Sequence, residues 1–151
     1  MGRLTELLNA AHACSQAHGW PFMGGMRPPE AHEFLQLAPG ARLIDVRSRA
    51  ELDLSGVIPG AVHVEWQSWP GWVPNPDFLT QIARHTDPES LLLFISRNQV
   101  RASRAAAACA EAGRGSCYTV LEGFEGELNP STGHRSELNG WKFHGLPWRQ
   151  A

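Results

Sequence analysis

The stretch Leu91-Leu92-Leu93-Phe94-Ile95-Ser96-Arg97-Asn98-Gln99-Val100-Arg101-Ala102 decides how the rest of the chain is read. A short run of consecutive apolar residues, bounded on both sides by polar ones, reads as a strand buried on both faces. An alanine-rich helix from Ala102 to Ala112 follows almost at once, closed by Gly113. A buried strand passing through a short loop into a helix is the βα unit of a parallel sheet. Main-chain N–H groups at the start of such a helix lack intrahelical partners, and the helix dipole adds partial positive charge there. A loop wrapped around that end turns amides inward and can cradle an anion, and Arg97, Arg101 and Arg104 raise the local potential. On spacing alone, a plain βα turn with solvated arginines fits equally well.

The pattern repeats outward from this unit. Arg42 to Val46 is a second buried strand, Ala61 to Glu65 alternates as a third, and Cys117 to Leu121 is a fourth. Residues 3 to 18 carry Leu4, Leu7, Leu8, Ala11 and Cys14 at helical spacing and end at Gly19. Residues 20 to 28, rich in Gly and Pro, read as a loop. Pro29 opens a second helix with Ala31, Phe34 and Leu35 on its apolar side. Pro76 to His85 reads as a further helix with Asn75 as its N-cap. Helices alternating with short apolar strands imply an α/β domain with a mostly parallel sheet covered on both faces.

Composition sets the outer bounds. The 151 residues suit one domain, with 42% hydrophobic and 19% charged residues. A net charge of −2 argues against non-specific nucleic-acid binding. No apolar run approaches the roughly 20 residues of a membrane span. Met1 to Ala11 holds an Arg, a Glu and no long apolar block, so no secretory leader is expected and the cytoplasm is the expected compartment. Cys14, Cys109 and Cys117 are an odd, widely spaced set, which points to reduced structural thiols. The seven histidines are scattered without a metal-binding motif, so no metal site is expected.

Several segments together resemble the rhodanese-like domain family. Leu43-Ile44-Asp45-Val46-Arg47, with Glu51 shortly after, resembles its first signature. Gly56-Val57-Ile58-Pro59-Gly60-Ala61 looks like the second, with Val57 where histidine is usual. Ser96 to Arg101 stands where the family has its active-site loop, opening with cysteine and closing with arginine. Leu121-Glu122-Gly123, Gly140-Trp141 and Gly145-Leu146-Pro147 resemble the closing segments. The resemblance spans residues 27 to 148 and implies a domain over 27–151, preceded by a helical extension over 1–26. It implies a five-stranded parallel sheet flanked by helices, and transfer of sulfane sulfur from thiosulfate or a persulfide to a thiol, protein or cyanide acceptor, with no cofactor. Arg97, Asn98, Gln99 and Val100 give the four-residue spacing of the sulfurtransferases rather than the five of related phosphatases.

By that resemblance position 96 carries the sulfur and Arg101 steadies the bound anion. Arg97, Asn98, Gln99, Val100 and Ala102 line the donor, with Asp45 and Arg47 shaping the loop from the neighbouring strand. Asp45 also reads as a carboxylate that merely tethers the loop, and Arg47 fits either role. Ser96 departs from the pattern where it matters most. A thiol with a pKa of about 8.5 can be lowered to a thiolate, whereas a hydroxyl is far less acidic and forms no persulfide. An introduced Cys→Ser exchange and natural loss of the nucleophile both fit. Either way the chain as written is expected to be inactive, and a non-catalytic anion- or protein-binding module is the alternative. Gln99 adds to the contrast, since a loop needing positive φ there would prefer glycine.

Two further features stand apart. Trp66, Trp69 and Trp72 cluster with Pro70, Gly71 and Pro74 after the Ala61–Glu65 strand, as an aromatic wall or docking patch, or as a satellite core. Residues 124–139 read as an insertion between segments the family places nearly side by side.

Overall fold

The computed structural model describes residues 2–151. Seven strands and five helices follow in the order α1 (Arg3–His18), β1 (Gly24–Met26), α2 (Pro28–Leu37), β2 (Arg42–Asp45), α3 (Arg49–Ser55), β3 (Val62–His63), β4 (Gln67–Ser68), β5 (Val73–Pro74), α4 (Phe78–His85), β6 (Leu92–Ile95), α5 (Val100–Glu111) and β7 (Cys117–Val120). Five strands form one sheet in the order β1-β7-β6-β2-β3. Every pairing in it is parallel, as the alternation of strands and helices requires. β4 and β5 form a separate antiparallel hairpin.

The apolar run of β6 has a direct explanation: the strand is buried on both faces. Leu93 and Ile95 enter one core with Leu7, Ala11, Met26, Phe34 and Trp141. Leu92 and Phe94 enter the other with Phe78, Ile82, Ala102, Ala105, Ala106 and Cys109. The buried face of α5 is therefore almost entirely alanine, so the helix lies close on the sheet.

Several expectations need correction. Residues 24–26 are not loop but the edge strand β1, paired with Tyr118, Thr119 and Val120 of β7. α4 begins at Phe78 with Asp77 at its N-cap. Asn75 instead accepts the Asp77 N–H at 3.0 Å, forming a turn ahead of the helix. The Ala61–Glu65 strand shortens to Val62–His63, and α2 starts one residue earlier, at Pro28. Helix α3 was not expected. Its signal is a capping box: Ser48 Oγ accepts the Glu51 N–H, and the Glu51 carboxylate accepts the Ser48 N–H.

The C-terminal ends of β2, β6 and β7 lie along one side of the sheet. They lead respectively into Val46–Ser48, Ser96–Gln99 and Leu121–Gly123, the side where open α/β sheets bind ligands.

Candidate active site

Strand β6 delivers Ser96 to the start of α5, where the residue is fully buried. Its hydroxyl donates to the Asn98 carbonyl at 2.7 Å and accepts the Ala102 N–H at 2.9 Å. Ser96 Oγ thus satisfies an amide of the first helical turn, the task of a cap residue, from three positions ahead of the usual cap. Asn98 works beside it, its Oδ1 accepting the Val100 N–H at 3.0 Å. Gln99 occupies the N-cap position with φ −87° and ψ −20°, so this loop needs no left-handed residue where glycine would be favoured.

Arg101 pairs with helix α3. Its guanidinium meets the Glu51 carboxylate through two hydrogen bonds of 2.7 Å and lies 5.0 Å from the Trp72 ring centroid. Burial alone would raise the Glu51 pKa, but the bonds from Arg101 and Ser48 outweigh it and hold the carboxyl at about 2. Arg97 binds the following loop through its carbonyl, which accepts the Glu125 and Gly126 N–H groups at 2.9 and 3.1 Å. It lines a cavity of about 440 Å³ together with Gln67, Trp72, Asn98, Val100 and Arg101.

Asp45 and Arg47 do not reach that cavity. Arg47 is buried, with Nη2 on Asp45 at 2.7 Å and on the Gly56 carbonyl at 2.9 Å. Its guanidinium lies 4.0 Å from the Phe124 ring centroid, and the Phe124 N–H donates to the Ser96 carbonyl at 2.8 Å. The pair therefore braces the loop from behind, through Phe124. A tethering role for Asp45 was one of the sequence expectations; the part played by Phe124, which lies in residues 124–139, was not.

Residues 124–139 leave and return at one point. Trp141 N–H donates to the Gly123 carbonyl at 2.8 Å, so residues 123 and 141 are neighbours. Glu122 closes the neck, accepting from Gly140 N–H and His144 Nε2 at 2.9 Å each and from Arg27 Nε at 3.2 Å. Gly123 packs so tightly that a Cβ there would fall 2.4 Å from the Asn98 carbonyl oxygen. The tryptophan cluster divides: Trp66 packs edge-on against Phe78 at 5.0 Å, while Trp69 and Trp72 are exposed.

Among the described residues no group of three or more His, Cys, Asp or Glu side chains could hold a metal ion. Among the described residues no helix is long and apolar enough to cross a membrane. Cys109 and Cys117 are buried free thiols and Cys14 is partly buried.

Comparison with known proteins supplies further findings. A family model described as Rhodanese-like domain matches residues 29–127. The crystal structure of Rv0390 from M. tuberculosis is 36% identical, with TM-score 0.77, covering 86% of this chain and 99% of that one. The polysulfide-sulfur transferase homodimer from Wolinella succinogenes shares the fold at TM-score 0.57 and 21% identity, covering 96% of this chain and 85% of that one. A Rickettsia rickettsii protein named as an uncharacterized homolog is 28% identical over 122 residues, 80% of this chain and 92% of its own length.

Proposed function

Because the chain belongs to the rhodanese-like domain family, we propose that it is a sulfurtransferase-type domain whose sulfur-carrying position, 96, serves as a helix cap in place of a nucleophile. The observation that carries this reading is the state of Ser96: fully buried, with its proton on the Asn98 carbonyl and its oxygen on the Ala102 amide. Among the described residues no side-chain base meets that hydroxyl, so nothing withdraws its proton to make an alkoxide.

With a cysteine at 96 the chemistry would balance as two displacements. The thiolate attacks the outer sulfur of thiosulfate, the S–S bond breaks, and sulfite leaves with the bonding electrons. Cyanide or a thiolate acceptor then takes the terminal sulfur of the persulfide, and the cysteine thiolate returns. The α5 N-terminus, with its positive dipole end, favours each anionic species at this position. Serine supports neither step, because its oxygen holds no transferable sulfur. On this reading the ligand is a small anionic sulfur compound, thiosulfate or a persulfide, the acceptor is a thiol or a protein, and the setting is the cytoplasm.

A second reading is a binding module with no turnover under any substitution at 96. One feature favours it: beside the Ala102 amide, a carbonyl, that of Asn98, also faces position 96. The experiment is thiocyanate formation from thiosulfate and cyanide by the parent and by Ser96→Cys, with mass spectrometry for one added sulfur atom. The parent is expected to be silent and Ser96→Cys to turn over and carry the added sulfur. If Ser96→Cys neither turns over nor takes sulfur from thiosulfate or a persulfide donor, the first reading fails and the binding module stands.

A further inference from the structure

The β4–β5 hairpin holds an exposed aromatic surface that the chemistry above leaves unused. Trp69 is 55% exposed, Val73 54% and Val100 50%, and Trp72 is exposed beside them. Trp69 and Trp72 pack edge-on with centroids 5.3 Å apart. A hairpin of two-residue strands is marginal on its own. This one is tied down: Trp66 N–H donates to Val46, and Asn75 donates to Trp66 through its main chain and to Glu65 through its side chain. Exposed aromatics held rigid in this way lose little freedom on binding, which is the economy of protein-recognition surfaces.

The cavity between this hairpin and the loop is positively charged. Its lining includes two arginines and no carboxylate. Arg101 is neutralised by Glu51. Arg97 takes part in no ion pair among the described residues, and its Nε is buried without a hydrogen-bond partner. The mouth therefore offers one uncompensated guanidinium beside an indole and an isopropyl group. A nucleic acid would need several phosphate contacts, and a single free cation on a chain of net charge −2 does not provide them.

We propose that the Trp69–Trp72 hairpin and the Arg97–Arg101 loop form the docking site for an acidic segment of a partner protein, one that presents a carboxylate next to an aromatic or aliphatic side chain. The apolar side chain lies against Trp72 and Val100, and the carboxylate meets Arg97. Trp69 extends the contact outward along the hairpin. The site depends on the shape of the loop and not on sulfur at position 96, so it fails or stands independently of turnover by Ser96→Cys.

The test is selection of a phage-displayed library of random peptides against the full chain. Enriched sequences are then synthesised and titrated against the parent, Trp69→Ala and Arg97→Gln. Trp69 is exposed, so Trp69→Ala should keep the parent circular dichroism and preserve the test should Arg97→Gln not fold. Enriched peptides should pair Asp or Glu with an aromatic or aliphatic neighbour and lose affinity in high salt. Each variant should weaken them about tenfold or more, as anchor residues do. The proposal is overturned by no enrichment, by enriched peptides without a carboxylate, or by affinities unchanged in Trp69→Ala. Tighter binding of oligouridylate than of any peptide, lost in the same variants, would make the surface an RNA site and equally overturn it.

Discussion

Glu51, in the first turn of α3, and Arg101, in the first turn of α5, meet through two parallel hydrogen bonds of 2.7 Å. The same carboxylate caps Ser48, so one acidic group joins the starts of two helices that lie 50 residues apart in sequence. The planar fork of arginine suits this bidentate geometry, which a lysine could not reproduce.

A pH dependence follows. The Glu51 carboxyl titrates at about 2 in the folded chain against an ordinary 4.5, because the bonds from Arg101 and Ser48 outweigh its burial. A folded-state pKa below the unfolded one means that the stabilisation is complete above the unfolded value and is lost as pH falls through the folded one. It amounts to at most about 3 kcal/mol on the scale of 1.36 kcal/mol per pKa unit. Urea unfolding of the parent and Glu51→Gln should give curves whose separation shrinks as the pH falls from about 5 to about 2. A separation that stays constant across that range would remove Glu51 from the acid response.

Ser96 as a cap predicts a cost in stability for Ser96→Ala, whatever the turnover. Removing the hydroxyl leaves the Ala102 N–H buried without its partner, worth about 1–3 kcal/mol. Ser96→Cys should cost less than Ser96→Ala, since a thiol fills the space and still accepts weakly. Urea midpoints of the three proteins check this. Equal stabilities would mean that the hydroxyl contributes nothing as a cap.

Gly123 sets the floor of the loop. With φ +79° and a virtual Cβ at 2.4–2.6 Å from main-chain atoms of Asn98 and Arg97, the position has room for no side chain. Gly123→Ala must push the 97–98 segment outward, at a cost of about 1–3 kcal/mol for the strained backbone alone. In the Ser96→Cys background it should abolish turnover before it unfolds the chain. Gly133→Ala, at an equally left-handed φ of +75° but with open space around it, should leave turnover intact and so separates contact from backbone strain.

The parts of this fold that could be read from sequence are those set by burial. β6 announces itself because both of its faces are covered, and α5 because alanine suits both helix formation and close packing. β1 stayed hidden for the opposite reason. Its Gly24 and Gly25 are there because a Cβ would meet Ala11 of α1 at 2.6 Å and the Trp20 ring at 2.9 Å. Close approach of a helix thus removes the β-branched residues by which strands are usually recognised. Position 96 was singled out by the resemblance of its loop to that of the family, since its spacing alone fitted a plain turn equally well. The inward Asn98 carbonyl was not legible, because it depends on a hydroxyl finding its nearest acceptor. Glu51 was visible only as part of a signature, and its partner lies far along the chain.

The role of Arg47 separates recruitment of a donor from support of the loop. Arg47 and Asp45 are both buried, and Arg47 shares its fork between Asp45 and the Gly56 carbonyl while stacking on Phe124. Removing one partner of a buried pair leaves the other charge without compensation, at about 3–5 kcal/mol, whereas replacing both by uncharged groups of similar size is often close to neutral. Arg47→Met should therefore be strongly destabilised, and Asp45→Asn with Arg47→Met should recover most of the loss. Measured in the Ser96→Cys background, the double variant should also recover turnover with thiosulfate, because a brace works without its charge. A double variant that is stable yet inactive, with its KM for thiosulfate raised and activity returning when Arg47 is restored, would assign the guanidinium to the donor.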